Sequence, residues 1–348
     1  MYKLKQFQFA TNVLCSMNQN SSKHKIALSG IKSTHGLPHL GNILGMILPA
    51  IELQRTGLET YYFVANYHSL TTVQDAATLR RDTRVMAAAI LAFGYDPKIG
   101  TLYLQSDVPQ VVELMWLLSC SVSMGDLFRA HAFKAAKDKN EEGTLNMATF
   151  AYPVLMAADI LAYDADVVPV GKDQQQHLEM ARAIAKRFNH FFGPVFKEPK
   201  ELIREDVAVV PGIDGAKMSK SKGNGIDPLL ESKALKKQVM AIVTDSKGLE
   251  DIKDPSTCNI VQLYKLLASK EEVSAMEQKY RAGNYGYGHA KLALLEKIEE
   301  KFSPARIEFQ KIMADQSYLN QVLKEGAEKA QAKAGAVLKR ARLACGID

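Results

Sequence analysis

Short apolar runs with strand character alternate with helix-period segments as far as Pro228, and beyond that point the strand signal stops. Lys25–Gly30 (KIALSG) reads as a buried strand, and the Gly-rich turn after it opens an apolar-periodic segment from Gly41 to about Thr56. Tyr61–Ala65 is a second strand, and Thr72–Gly94 a helix that stops before Asp96-Pro97. Thr101–Gln105 is a third strand, with a helix over Val111–Cys120 behind it; Asp166–Val170 is a fourth, preceding a helix over His177–Phe188. Strands separated by helices need crossover connections, so the sheet is expected to be parallel with both faces covered. The fold class is therefore α/β, a doubly wound Rossmann-type sheet followed by an all-helical C-terminal region. Helical segments are expected at 231–243, 259–268, 271–281, 288–302, 304–315 and 318–343. The organisation expected is an N-terminal extension over 1–22, the α/β domain over 23–230 and a helical domain over 231–348. Met17 lies just before the first strand and leaves open whether residues 1–16 belong to the protein.

Composition narrows the class. With 47% hydrophobic and 24% charged residues the chain has material for a sizeable core, which excludes wholesale disorder. The longest apolar stretches fall well short of the ~20 residues a membrane span requires, and the N-terminus has Lys3 and Lys5 but no apolar core of a secretory signal. Cys15, Cys120, Cys258 and Cys345 are scattered without zinc-site spacing, which fits a reducing cytoplasm. A net charge of +6 permits contact with nucleic acid without requiring it.

Two loops carry the chemistry. Lys32-Ser-Thr-His-Gly-Leu-Pro-His-Leu-Gly-Asn42 joins the first strand to its helix and places His39, Gly41 and Asn42 at the helix N-terminus. Unpaired backbone N–H groups and the helix dipole attract anions there, His39 and Asn42 can donate to phosphate oxygens, and Gly41 lets a flat base approach the backbone. A polar N-cap with incidental histidines is the structural alternative. His35 and His39 are four apart, but Gly36 and Pro38 deny them the helical face of a metal pair. The second loop, Pro211–Gly225, sets Lys217, Lys220 and Lys222 between glycines. Lysines on a mobile segment can neutralise charge that builds at an attacked phosphoryl centre, while the bland reading is a solvated surface loop. Neither a Walker A sequence nor GxGxxG is present.

Together, His39-Leu-Gly-Asn42 and Lys217-Met-Ser-Lys-Ser221 resemble the two defining motifs of the class I aminoacyl-tRNA synthetases; the Asn42 ending departs from the general HIGH pattern in a way at home in the tryptophanyl branch. Tyr152–Leu161 (YPVLMAADIL) and Val168–His177 (VPVGKDQQQH) resemble that branch's segments for amino acid and adenosine. The resemblance runs from about Ile26 to the C-terminus, including Tyr285-Gly-Tyr-Gly288 and Gly326-Ala-Glu-Lys-Ala330. It implies that Asp159 accepts the indole N–H, with Met156, Tyr152, His68, Gln174 and Gly30 shaping the pocket. It implies ATP binding by Lys32, Ser33, Thr34, His39, Gly41, Asn42, Gly171, Lys172, Asp173, Val209, Lys217, Met218, Ser219, Lys220 and Ser221. Physical chemistry agrees, because a lone carboxylate in an apolar helical run needs a strong donor, and indole offers one. A site built on that bond rejects phenylalanine by leaving the acid unpaired, and no editing domain is apparent. Asn66 stands where many relatives carry an acid, and Lys172 occupies a variable position.

The implied reaction is in-line attack of the tryptophan carboxylate on the α-phosphorus of ATP, followed by transfer to tRNA(Trp). His39, Asn42, Lys217 and Lys220 are the expected catalytic residues, and Mg2+ is expected to arrive with ATP rather than in a protein metal site. A homodimer is expected, with Val111–Cys120 in its interface, as are the absence of DNA and membrane partners and a tRNA role for the helical domain. Lys329, Lys333, Lys339, Arg340 and Arg342 in the last helix could meet tRNA phosphates or form a solvated basic face. A small-molecule nucleotidylyltransferase and an inactive paralogue that senses tryptophan or RNA are the rival functions.

Overall fold

The computed structural model describes residues 25–34, 36–130, 133, 146–170, 175–203 and 210–347. Five parallel strands form one sheet: β1 Ile26–Ile31, β2 Glu59–Val64, β3 Thr101–Leu104, β4 Val167–Val170 and β5 Lys200–Ile203, in the order β3-β2-β1-β4-β5. The first four lie where the apolar runs put them. The fifth is an addition to the sequence expectation. Lys-Glu-Leu-Ile has no apolar run of its own and becomes a strand by pairing with β4, from Val167↔Lys200 to Val170↔Ile203.

Period-two alternation divides the sheet between two cores. Tyr61 and Phe63 of β2 face one cluster with Leu28, Tyr103 and Phe188, while Tyr62 and Val64 face the other with Ile31, Met86 and Leu102. The helical segments 40–54 and Ala76–Ala92 cover the second side; Gln110–Ser119, Met147–Leu161 and Gln175–Phe192 cover the first. Here α1 is continuous through Leu40–Asn42, a π-helical turn Ile43–Ile47 and Leu48–Gln54. Among the described residues, further helices before the lysine loop are α2 Asn66–Ser69, α3 Ala76–Ala92, α4 Gln110–Ser119, α5 Met124–Phe128, α6 Met147–Leu161 and α7 Gln175–Phe192.

Beyond Pro228 run α8 Ser232–Met240, α9 Asn259–Lys265, α10 Lys270–Ala282, α11 Tyr287–Ala314 and α12 Gln316–Ala344. The two segments expected on either side of Pro304 are one helix. Pro304 forfeits a backbone bond, which costs an isolated helix ~3 kcal/mol, but Phe302, Ala305 and Arg306 beside it are all buried. Arg306 also donates from Nε and Nη2 to the Pro228 carbonyl at 3.1 and 2.9 Å, which ties the helix to the junction.

The last helix spans both cores: Leu319, Val322 and Leu323 sit in one, and Ala327, Ala330, Ala334 and Val337 in the other. It lies along β3, the edge strand, through a seam of small residues. A Cβ added to Gly326 would stand 1.8 Å from the Leu102 carbonyl oxygen. Three of its basic residues are used inside the molecule, Arg340 and Lys333 on Asp164 at 2.6 and 3.8 Å and Arg342 on Glu113, whereas Lys329 and Lys339 are exposed. Partly exposed pairs contribute under about 1 kcal/mol each, so the buried apolar face and the close backbone approach are what hold the helix. Gly326→Ala is therefore expected to cost about 1–3 kcal/mol as an overpacking change, measured as a lower unfolding midpoint in denaturant. An unchanged midpoint would mean that the helix stands off the strand.

Candidate active site

The site forms at the carboxyl ends of β1, β2 and β3, where an open α/β sheet leaves a crevice. His39 caps α1: its backbone is extended and its Nδ1 accepts the Asn42 N–H at 3.1 Å. With Nδ1 an acceptor, the neutral ring carries its proton on Nε2. The ring stays neutral at physiological pH because burial first, and the nearby positive charge of Lys220 second, push its pKa down to about 4. A Cβ at position 41 would lie 3.0 Å from His39 Cε1, so the imidazole would have to give way by a few tenths of an ångström to admit one. The side-chain oxygen of Asn42 is buried with no hydrogen-bond partner among the described residues.

The lysine loop closes onto the same helix start. Lys220 Nζ donates to the carbonyl oxygens of Thr34 and Gly36 at 2.5 and 3.0 Å, and Leu40 N–H donates to Ile226 O at 2.9 Å. Met218 is buried in the core that contains Leu40 and Ile43, while Lys217 is exposed, and Ser219 and Ser221 hydrogen-bond each other at 2.9 Å. Burial lowers the Lys220 pKa to about 8 against the opposing pull of Asp227 and Asp82. Asn224, which motif reading passed over, gives the loop its shape: its Oδ1 accepts Ser219 N–H at 2.7 Å, and its Nδ2 donates to Asp214 at 2.8 Å and to Lys217 O at 3.2 Å. At 3% exposure it is, like Met218, one of the loop's buried side chains.

On the other side of β1, α6 presents Tyr152, Met156 and Asp159 on one face at i, i+4 and i+7. Asp159 is 2% exposed, and burial raises its pKa while bonds from His68 and Gln105 pull it back. His68 Nε2 lies 2.9 Å from Asp159 Oδ2. The His68 ring stands edge-on to Tyr152 with centroids 6.2 Å apart, and the Tyr152 hydroxyl reaches His177 Nε2 at 3.3 Å. Lys32 Nζ is 6.0 Å from the Tyr152 ring centre, which joins this group to the phosphate-side loop. The two loops and the acid at 159 therefore open onto one region.

Two expected residues have other surroundings. Ser33 turns inward and bonds Ser69 at 3.2 Å and Thr83 at 3.0 Å, so its hydroxyl shapes the loop rather than facing a ligand. The space at Gly30 is filled by the Phe63 ring, 2.4 Å from where a Cβ would be. Gly171, Lys172, Asp173, Gln174 and Val209 lie outside the described residues. Gln105, Ser106 and Asn66 were not marked as site residues by motif, although Gln105 ends a buried strand at the carboxyl edge of the sheet, where side chains meet ligands.

Comparison with known proteins bears on the same segments. Residues 20–303 match the family model of class I tRNA synthetases for W and Y. The tryptophan–tRNA ligase of Rhodopirellula baltica is 47% identical over 320 residues, covering 92% of this chain and 99% of that protein. That of Fusobacterium nucleatum is 46% identical over 325 residues, covering 93% of this chain and 98% of its own length. The crystal structure of the Campylobacter jejuni tryptophanyl-tRNA synthetase, complexed with ADP and tryptophan, superimposes with a TM-score of 0.85 at 41% identity, covering 92% of this chain and 99% of that one. The geometry and the comparisons lead to one conclusion: the chain belongs to the tryptophan–tRNA ligases, the tryptophan branch of the class I tRNA synthetases.

Proposed function

We propose that this chain activates L-tryptophan with ATP and transfers it to the 3′ end of tRNA(Trp), using the residues gathered at the sheet's carboxyl edge. The observation that supports the reading is that three separate segments meet: Lys220 rests on the Thr34 and Gly36 carbonyls of the loop that leads to His39, and Lys32 of that loop stands over the ring of Tyr152, on the helix that carries Asp159. In the first step a tryptophan carboxylate oxygen bonds to the α-phosphorus as the bond to pyrophosphate breaks; in the second, the terminal ribose hydroxyl of tRNA attacks the carbonyl and AMP leaves. In this reading Nε2–H of the neutral His39 ring and the Asn42 amide would donate to α-phosphate oxygens, and Lys217 and Lys220 would offset charge on the departing pyrophosphate. Among the described residues no group of three His, Cys, Asp or Glu side chains gathers to hold a metal ion. In this reading Mg2+ enters on the ATP phosphates and the lysines share its electrostatic work.

Residues 23–230 would then be the catalytic domain and 231–348 the domain that meets the tRNA anticodon, with exposed Lys329 and Lys339 available to phosphates. A second copy of the chain would cover the apolar face of α4 and α5, where Val112, Trp116, Met124 and Phe128 are exposed at 44%, 71%, 58% and 47%. Among the described residues no helix is long and apolar enough to cross a membrane, and Cys120, Cys258 and Cys345 are free thiols, which suits a cytoplasmic enzyme. Amino-acid-dependent exchange of pyrophosphate into ATP, run with all twenty amino acids, should give signal with tryptophan. Exchange with tyrosine instead would overturn the substrate. No exchange would favour the sensor reading, and nucleotide transfer to a non-amino-acid acceptor the nucleotidylyltransferase.

A further inference from the structure

We infer that Gln105 makes the pocket selective for a side chain with an N–H donor, by pinning the Asp159 carboxylate so that one acceptor position on Oδ1 is left for the ligand. The inference rests on the proposal that the pocket takes tryptophan, and it adds a positioning residue to that site. Gln105 is 1% exposed and opens the 3-10 turn Gln105–Asp107 that ends β3. Its Nε2 stands astride the carboxylate, 2.9 Å from Asp159 Oδ1 and 2.8 Å from Oδ2. Its Oε1 accepts the backbone N–H groups of Tyr67 at 3.1 Å and His68 at 3.4 Å, the first turn of α2. Those two donors fix which way round the amide lies, because a flipped amide would set NH2 against two N–H groups and an oxygen against a carboxylate. The turn is itself clamped: Asn66 Nδ2 donates to Ser106 Oγ at 2.7 Å, and Ser106 N–H donates to Asn66 Oδ1 at 3.0 Å.

An ionised carboxyl has about four acceptor positions. Oδ2 receives His68 Nε2 and Gln105 Nε2, while among the described residues Oδ1 receives Gln105 alone. A ligand N–H meeting Oδ1 completes the set; a ligand without one leaves a buried charge under-satisfied. Without Gln105 the carboxylate can turn about its own axis, follow His68, and present no fixed acceptor. Asn66 takes part by holding the turn that delivers Gln105.

The experiment compares tryptophan with 3-(benzothiophen-3-yl)alanine, in which sulfur replaces the indole N–H, in pyrophosphate exchange by the full-length chain. The parent should discriminate strongly against the sulfur analogue. In Gln105→Met, KM for tryptophan should rise about 10- to 100-fold with kcat largely retained, since the lost bonds act on a contact already made in the ground state. The analogue's kcat/KM should stay within about threefold, so the ratio between the two substrates collapses. Equal loss for both substrates, or no loss for tryptophan, would overturn the inference in favour of a merely structural glutamine. Should Gln105→Met fail to fold, Asn66→Ala releases the turn that delivers Gln105 without touching the carboxylate, and the same tryptophan-selective loss is expected in smaller measure. A parent chain with no tryptophan-dependent exchange would instead fail the proposed function, and the inference would fall with it.

Discussion

Asp159→Asn should lower kcat/KM for tryptophan by about a thousandfold while leaving KM for ATP nearly unchanged. The substitution preserves size, so the effect isolates charge and donor pattern. Asparagine has one acceptor oxygen, and Gln105 cannot adapt, because its own oxygen is held by two backbone N–H groups. If the new oxygen takes the Oδ2 place, the new NH2 group occupies the open position and meets the indole N–H donor to donor. If it takes the other place, the NH2 group lies 2.8 Å from where Gln105 Nε2 sits. A hydrogen bond to a charged group contributes about 1.5–3 kcal/mol and a buried unpaired donor costs about 1–3 kcal/mol, which together come to about 4 kcal/mol or three decades. Steady-state exchange kinetics measure this, with the unfolding midpoint taken in parallel. A loss below about tenfold would remove Asp159 as the acceptor of the substrate N–H.

The sequence made the architecture legible where burial wrote it in composition. Central strands of a parallel sheet are apolar on both faces, so IALSG and YYFVA announce themselves; β5 is an edge strand whose Lys-Glu-Leu-Ile is stabilised by a partner 33 positions upstream in the register Val167↔Lys200. Pro304 divided on paper what tertiary burial joins, since Phe302, Ala305 and Arg306 outweigh the missing bond. The π-turn at Ile43–Ile47 left no trace in side-chain pattern because it is a property of backbone pairing. Local motifs exposed the site in the same selective way. His39, Lys220 and Asp159 could be named because each stands in a recognisable run, whereas Gln105 acts on a residue 54 positions away and Asn224 acts through backbone groups. Ser33 shows the converse, a motif neighbour whose hydroxyl turns into a buried cluster with Ser69 and Thr83.

Lys220→Met should reduce kcat of adenylate formation about 100- to 1000-fold, the range for deleting one preorganised group that meets developing charge. In the structure its ammonium rests on the Thr34 and Gly36 carbonyl oxygens. Those acceptors hold the loop beside the helix start, and a pyrophosphate offers stronger ones, so the chemistry asks the lysine to exchange neutral acceptors for anionic ones. Burial lowers its pKa to about 8, with Asp227 and Asp82 pulling the other way. The sign follows directly: the group is charged below about pH 8 and neutral above it, so kcat/KM for ATP, which reports the free enzyme, should fall as pH rises through that value. His39, with its pKa near 4, stays neutral across the same range and imposes no limb between pH 6 and 8. The methionine variant should therefore lose the alkaline limb together with most of its rate. If the variant keeps the limb near pH 8, the titration belongs to another group, and Lys220 is a loop tether rather than a partner of the leaving pyrophosphate.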